Sequence, residues 1–351
     1  MNQRPFDGLE WIEAGAPDTE EVTSSNLVTP TNFSSDGASC PCVAAFCSSY
    51  VSELVERGHI ERSTARAYGY LIKHVAGYFG DMGIRDVTPE SLNGFVAHLQ
   101  EAGLAPGTVR KTYNLLAMAL RHAHASRVID WLPTLAVRAP KNRCPPPNPL
   151  TLESMRKLQT SLQALEVTPC VLAVMLALST GMRRGEVCGL QWKDVAPDFQ
   201  TARVRRSIGV RDGGTYVKGT KTGNERAVPL SPSVARVMRS FRLQMEDECT
   251  ETGAPFRSSF YVLGKADGSY LSPYVLTRWW AFHAREWGLV GTQGKTPVFH
   301  DLRHTFATVA VRNLDPKTAQ SIMGHSNINM TMKYADTEEN QVRDASRLLP
   351  F

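Results

Sequence analysis

The sequence predicts a mainly α-helical protein with a small antiparallel β-sheet, divided into two domains. Three observations support this prediction. Apolar residues recur at helical spacing through residues 43–125, a proline-rich stretch interrupts the chain at 139–149, and short alternating segments typical of β-strands occur within 201–230. The 351 residues, 42% of them hydrophobic and 21% charged, are enough for two ordinary globular domains. This composition does not distinguish among enzyme classes.

Residues 1–39 form an acidic leader. They contain one basic and seven acidic residues, a net charge of −6. Since the whole chain has a net charge of +5, residues 40–351 carry +11. The leader is rich in Ser, Thr and Pro and has no sustained periodicity, so we predict that it is disordered. A basic body favours a polyanionic partner, because lysine and arginine neutralise phosphate. A solvated charged surface explains the same imbalance equally well.

Cysteine usage and hydropathy indicate a cytoplasmic protein without a membrane partner. The cysteine count is odd and the spacing contains no C-x-x-C pair, which argues against a disulfide framework and a structural metal. The longest apolar run, Cys170 to Leu178, is too short to cross a bilayer. The cysteines, which we expect to be reduced thiols, are Cys40, Cys42, Cys47, Cys144, Cys170, Cys188 and Cys249.

Residues 40–138 are predicted to form a small helical domain of four helices. The first begins near Val43 and the second after Ser63. Thr88 and Pro89 provide a cap and a first-turn proline for the third, and Pro106 opens the fourth. The inner face of the fourth helix comprises Val109, Tyr113, Leu116 and Leu120.

The proline-rich stretch 139–149 cannot continue a helix, so we place an interdomain linker there and a second domain at 150–351. In that domain, an apolar helix begins at Thr168-Pro169 and stops at Gly181. Strand patterns follow at 201–210, 216–217 and 227–230, and helices resume from about Ser233 and from Pro273.

The stretch from His300 to Tyr334 combines imidazole, guanidinium and phenol groups that suit phosphate chemistry. A helix starting near Asp301 would carry His300 and Arg303 about one turn apart. A second short helix is predicted from Asp315-Pro316 to the stop at Gly324, followed at once by His325. Asn329 is predicted to cap a last short helix that presents Tyr334.

These residues resemble the catalytic motifs of a known family. HDLRH followed by GHSNINMTMKY is similar to the H-x-x-R, G-H and nucleophilic tyrosine motifs of the tyrosine recombinase (phage integrase) family. ALSTGMRRGEVCGLQWKDV (177–195) resembles the family's first-arginine box, and GTKTGNERAVPL (219–230) resembles the hairpin that bears its catalytic lysine. Each piece is unspecific alone, but five occur in the family's order.

The resemblance implies a fold and an active site. The fold would be a two-domain DNA clamp, with a helical core-binding domain and an α+β catalytic domain. Tyr334 would attack DNA to give a 3′-phosphotyrosine, with Lys221 as the general acid; the hairpin register leaves Lys218 open as an alternative. His300 would assist the movement of the phenolic proton, and His325 would donate a hydrogen bond to a non-bridging oxygen. The catalytic residues implied are Arg183, Lys221, His300, Arg303, His325 and Tyr334, with Glu186 as a supporting acid.

The resemblance also implies partners. The fourth helix of the first domain would lie against the DNA major groove, so Arg110 and Lys111, with Arg66 and Lys73, would contact phosphates or bases. A solvated helix face explains each of these residues equally well. The expected partners are double-stranded DNA with a specific recombination site, a homotetramer on synapsed DNA and an accessory directionality factor.

No metal or cofactor is expected. The sequence lacks an acidic cluster suited to a two-metal nuclease, and ATP is unnecessary because a phosphotyrosine conserves the bond energy for religation. The apolar residues of the C-terminal tail are predicted to dock either on a neighbouring protomer or on their own domain. They are Val342, Leu348, Leu349 and Phe351.

Four functions are compatible with the motifs. The favoured one is an integrase that inserts or excises a phage or other mobile element. A Xer-type resolver of chromosome or plasmid dimers is the main alternative, because the acidic leader separates the two only weakly. A type IB topoisomerase would use similar catalytic residues, but the G-H-S-N-I-N-x-T-x-x-Y context and the helical first domain favour recombination. A DNA-binding protein that has lost catalysis is also less favoured, since all expected catalytic positions are occupied.

Overall fold

The computed structural model describes residues 40–141, 145–211, 214–219, 225–324, 327–332 and 334. The chain forms two compact units that divide between residues 144 and 145, within the proline-rich stretch. The first unit is helical, and the second combines helices with short antiparallel strands.

The first unit consists mainly of four helices: α1 (Val43–Glu56), α2 (Arg62–Phe79), α3 (Pro89–Glu101) and α4 (Pro106–Ala125). The four predicted helices are confirmed, and their starts agree to within two residues. The start of α3 follows from a local signal, because the Thr88 side chain accepts a hydrogen bond from the Ser91 amide (3.2 Å).

The core of the first unit is formed by the apolar faces of these helices. The predicted inner face of α4 is buried, and the rings of Phe79 on α2 and Phe95 on α3 lie 5.1 Å apart. Each such buried side chain contributes about 1.5–3 kcal/mol of transfer free energy. The polar faces of α2 and α4 remain on the surface.

The second unit contains the remaining helices. They are α5 (Leu152–Ala164), α6 (Pro169–Thr180), α7 (Arg184–Cys188), α8 (Pro232–Glu251), α9 (Pro273–Glu286), α10 (Phe299–Asn313), α11 (Pro316–Met323) and α12 (Ile328–Met332). The apolar helix α6 lies at the centre and packs against α8, α9 and α10. In the described part of the chain, no helix combines the length and apolarity required to span a membrane.

The strands form two separate antiparallel pairs. β1 (Thr201–Val204) pairs with β4 (Arg226–Pro229), and β2 (Arg206–Arg211) pairs with β3 (Gly214–Gly219). The prediction of one strand over residues 201–210 was therefore wrong in one respect. The strand is interrupted at Arg205, and its first part (β1) pairs with β4 whereas its second part (β2) pairs with β3. Residues 220–224, which include Lys221, lie outside the described residues.

Candidate active site

Arg183 lies in the short connection between α6 and α7. Gly181 ends α6 in the left-handed conformation (φ 65°), and Arg183 is the N-cap of α7. The carboxylate of Glu186 accepts hydrogen bonds from the Arg183 amide (2.8 Å) and from its Nη1 (2.9 Å). The Arg183 side chain remains 44% exposed. The guanidinium is therefore fixed by Glu186 and still accessible to a ligand.

A glycine allows α7 to lie directly on β2. A Cβ atom at Gly185 would lie 2.4 Å from Ser207 Oγ and 2.5 Å from the carbonyl oxygen of Ile208, distances that no side chain tolerates. This close approach places Arg183 and Glu186 beside the strands.

Arg226 is a site residue that the sequence analysis did not identify. Its Nη1 and Nη2 donate to the two carboxylate oxygens of Glu186 (3.1 and 2.6 Å), and its Nε donates to the carbonyl of Ile322 (2.8 Å). The side chain is 9% exposed and joins β4, α7 and α11. Burial alone would raise the pKa of Glu186, but Arg226 and Arg183 outweigh it and lower that pKa.

Arg303 is buried between two ends of helices. Its Nη1 donates to the carbonyl of Gly181 (2.6 Å) and its Nη2 to that of Met323 (2.7 Å). Burial, together with the charge of Arg183, lowers the pKa of Arg303 to about 9, although Glu186 opposes this change. The guanidinium is therefore charged at neutral pH. Of its five N–H donors, three make no hydrogen bond to the residues that the structure describes.

Tyr334 follows α12 and points to a histidine that the sequence analysis also missed. Its Oη lies 2.5 Å from Nδ1 of His304, which directly follows Arg303 in the chain. Burial raises the pKa of the Tyr334 phenol, with Arg303 opposing this effect. The second histidine of HDLRH was visible in the sequence, but its partner lies thirty residues away.

His300 lies one helical turn before His304. The two rings meet edge to face, with centroids 4.8 Å apart and an interplanar angle of 86°. Although His300 is exposed as a residue, partial desolvation of its imidazole and the nearby His304 and Arg303 lower its pKa to about 4. Its imidazole is therefore neutral at pH 7.

The segment between α11 and Tyr334 corrects one prediction. Asp315 caps α11 as predicted, and Gly324 ends it with φ 64°. The cap of α12 is Asn327, whose Oδ1 accepts a hydrogen bond from the Asn329 amide (2.9 Å), so the prediction that Asn329 is the cap was wrong. The side-chain acceptor stands two residues earlier. His325 lies outside the described residues.

The four basic residues predicted to contact DNA lie in the first unit and differ in accessibility. Arg66 and Lys73 on α2 and Lys111 on α4 are exposed, and Lys73 lies over the ring of Tyr70 at 5.6 Å. Arg110 is partly buried and donates to the carbonyl of Pro140.

The described residues contain no group of three or more His, Cys, Asp or Glu side chains placed to hold a metal ion.

Comparison with known proteins identifies the family. The model of the phage integrase family matches residues 150–341, more than half of the chain, and that of the phage integrase SAM-like domain matches residues 43–135. The chain belongs to the phage integrase family. The predicted resemblance to tyrosine recombinases is confirmed, and the chain is an enzyme of the class that cuts and rejoins DNA.

Relatives include both phage integrases and tyrosine recombinases named XerC or XerD. The integrase of Enterobacteria phage 434 is 27% identical over 289 residues, which cover 82% of this recombinase and 74% of the phage protein. The tyrosine recombinase XerC of Mesorhizobium japonicum is 28% identical over 295 residues, covering 82% and 85% of the two chains.

Solved structures of tyrosine recombinases share the fold. A fragment of the Tn1549 transposon integrase, in complex with a circular-intermediate DNA, superposes with a TM-score of 0.72 at 22% identity, covering 88% of this chain and 100% of that one. A lambda integrase chain from the tetramer bound to a Holliday junction superposes with a TM-score of 0.62 at 22% identity, covering 85% of this chain and 78% of that one. The predicted fold class is confirmed.

Proposed function

We propose that this recombinase integrates or excises a phage or other mobile element, by cutting a specific DNA site through a 3′-phosphotyrosine at Tyr334. The observation that carries the proposal is the convergence of Arg183, Arg303 and Tyr334 from three separate segments of the second unit. Arg303 donates to the carbonyl of Gly181, two residues before Arg183, and Tyr334 contacts His304, the residue after Arg303.

The two arginines would stabilise the transition state of phosphoryl transfer, which gains negative charge on its non-bridging oxygens. A guanidinium suits this task because it offers a rigid fork of donors matched to two oxygens. Three N–H groups of Arg303 have no described partner, and the guanidinium of Arg183 is accessible. Each well-aimed donor contributes about 3–4 kcal/mol. His325 would add a further hydrogen bond.

Proton transfer completes the reaction. The Tyr334 phenol must lose its proton as it attacks, and His300 would assist that movement. Lys221 would act as the general acid on the departing 5′-oxygen. No metal is required, because guanidinium groups supply the positive charge.

The recombinase would act on double-stranded DNA as a homotetramer. An apolar groove of about 530 Å³ between α5, α6, α8 and α10 supports this assembly, since its Val167 and Val309 side chains are exposed to water and others are only half-buried. We propose that the C-terminal tail of a neighbouring protomer fills it. The groove includes Met155, Leu162, Val167, Met175, Val237 and Val309.

The tail proposal is tested with a chain shortened after residue 336. Its sedimentation on a synthetic Holliday junction should show protomers that bind DNA but no longer form a tetramer. A tetramer of unchanged stability would contradict docking on a neighbour and favour docking of the tail on its own unit.

The proposed chemistry is tested with nicked suicide duplexes of randomised sequence. Purified wild type should form a protein–DNA adduct that resists SDS, in the presence of EDTA, and sequencing of the bound DNA should identify the site. The Tyr334→Phe variant should bind the same duplexes without forming an adduct. An adduct in Tyr334→Phe, or none in wild type even after cell extract is added, would contradict the proposal.

The Xer-type alternative retains a specific observation in its favour, the similarity to XerC over 85% of that protein. The selected site decides between the two. An integrase should join a circle that carries one site to a second DNA that carries a different one. A dimer resolver should instead convert a plasmid dimer with two identical sites into monomers.

A further inference from the structure

A short contact links Tyr334 to α10. The Oη of Tyr334 and Nδ1 of His304 are 2.5 Å apart, and the two rings are tilted by 35° with centroids 5.6 Å apart. A distance at the short end of the hydrogen-bond range means that one proton lies between the two atoms. The direction of that bond decides which group is the acid and which is the base.

The surroundings of the two groups favour the phenol as the donor. Burial raises the pKa of Tyr334, so its hydroxyl is protonated, whereas burial and the charge of Arg303 lower the pKa of His304, so its imidazole is neutral. A neutral imidazole has one bare nitrogen. If Nδ1 accepts from the phenol, the remaining proton of His304 lies on Nε2.

Among the described residues, the other titratable groups that act on this pair come from α10 itself. The ring of His300 meets that of His304 edge to face, Arg303 acts on both His304 and Tyr334, and Asp301 acts on Tyr334. Among the described contacts, the imidazole that reaches the phenol is therefore that of His304, and His300 contacts His304.

We propose that His304 is the base that accepts the phenolic proton of Tyr334 when the tyrosine attacks DNA, and returns it when the strand is rejoined. This inference rests on the proposed function of Tyr334 as the nucleophile. It assigns a catalytic task to a residue outside the arginines, lysine, histidines and tyrosine of the family motifs.

Each proton and bond in the step is accounted for. The proton of Tyr334 moves from Oη to Nδ1 of His304 as the bond between Oη and phosphorus forms. The bond between phosphorus and the 5′-oxygen breaks, and that oxygen takes a proton from Lys221. Religation reverses both transfers, so the enzyme ends in its starting protonation state. A positioned base of this kind accelerates a reaction by about 100- to 10,000-fold.

The test separates the nucleophile's proton from the leaving group's proton. Wild type, His304→Asn and Lys221→Ala are compared on a nicked duplex that carries the selected site, and on the same duplex with sulfur in place of the bridging 5′-oxygen. A thiolate leaves without a proton. His304→Asn should be slowed about 100-fold or more on both duplexes, whereas the sulfur substrate should restore the rate of Lys221→Ala. A wild-type rate for His304→Asn, or its rescue by sulfur, would overturn the proposal.

A second measurement distinguishes a base from a structural contact. Incorporation of 3-fluorotyrosine at position 334 makes the phenol more acidic, so it should recover part of the rate lost in His304→Asn. A defect that comes only from misplacement of the tyrosine would not respond to the acidity of the phenol. The matched control is His98→Asn, an exposed histidine on α3 of the first unit, which should cleave at the wild-type rate.

A measurement without DNA keeps the inference separate from the proposed function. In ¹⁵N NMR spectra of the free protein, His304 should be the tautomer protonated at Nε2, and Tyr334→Phe should shift its Nδ1 resonance. A proton on Nδ1, or spectra unchanged by Tyr334→Phe, would refute the role of His304 even if wild type forms the adduct. Failure of wild type to form any adduct would instead refute the proposed function.

Discussion

Arg303 pairs a buried charge with unused hydrogen-bond donors. Arg303 is 3% exposed, and Arg183 and Arg226 repel its guanidinium electrostatically. Two of its donors bind backbone carbonyls, and no carboxylate contacts it directly among its described hydrogen bonds. An anion seated among these arginines would relieve the repulsion, which is what a DNA phosphate would do.

Sulfate should therefore stabilise the wild type more than the Arg303→Met variant. An anion at ten times its dissociation constant stabilises the folded state by about 1.4 kcal/mol. Thermal unfolding in sulfate and in chloride at equal ionic strength measures this difference, with Arg236→Met, an exposed arginine on α8, as the control. Equal sulfate effects in wild type and Arg303→Met would contradict a phosphate site at Arg303.

His300 should make the second unit sensitive to acid. Its pKa is about 4 in the folded state and 6.5 ordinarily, so folding favours the neutral imidazole. The stabilisation is fully present above about pH 6.5 and is lost as the pH falls toward 4. Urea unfolding over this range should show a shallower decline for His300→Gln than for wild type. Parallel profiles would show that His300 has no such effect.

At the level of the helices and strands, Gly181 both ends α6 and holds a residue of the candidate active site. It is left-handed, and its carbonyl holds Arg303. A Cβ there would lie 2.4 Å from a ring carbon of Phe306. Gly288, also left-handed at φ 58°, has nothing within 4 Å of its Cβ position and provides a matched comparison.

Gly181→Ala should therefore destabilise the second unit more than Gly288→Ala. Both substitutions incur about 1–2 kcal/mol for the left-handed backbone, and the contact with Phe306 adds about 1–3 kcal/mol of overpacking. Denaturant unfolding of the two variants measures the difference, and adduct formation should fall only in Gly181→Ala. Equal losses of stability would show that Phe306 moves aside without strain.

Arg226 should matter more to stability than an exposed ion pair does. Arg226→Gln would leave the buried carboxylate of Glu186 with Arg183 as its remaining described partner, which should cost about 3 kcal/mol. Lys157→Gln removes a surface pair with Glu153 and should cost far less, because solvent screens the two exposed charges. The free energies of unfolding of the two variants provide the check, and similar values would mean that the buried pair contributes little.

Local signals predicted most of the helices, and long-range contacts explain what was missed. Thr168-Pro169 and Gly181 define α6 because caps and left-handed stops act within a few residues. The break at Arg205 depends on partners far along the chain. Likewise, no periodic pattern in the sequence indicates the hydrogen bond between Arg226 and Ile322 or the one between His304 and Tyr334. These bonds join residues 96 and 30 positions apart, so only the folded structure shows them.

For the whole molecule, the uneven charge distribution predicts how the leader affects DNA binding. Residues 1–39 carry −6 and the rest of the chain carries +11. A variant in which the seven leader acids become Asn or Gln should bind non-specific duplex DNA more tightly than wild type at low salt. The difference in affinity between the two proteins should shrink as ionic strength rises. Fluorescence anisotropy across a salt series measures both affinities, and a difference in affinity that does not depend on salt would exclude a charge effect.

The two buried arginines recognise main-chain atoms, which affects how this protein can evolve. Arg303 and Arg226 bind the carbonyls of Gly181, Met323 and Ile322, and every amino acid supplies such a carbonyl. Drift at positions 322 and 323 is therefore limited by packing rather than by loss of these bonds. We therefore expect substitutions to be tolerated at the end of α11 and not at Arg226 and Arg303, which bind its carbonyl groups.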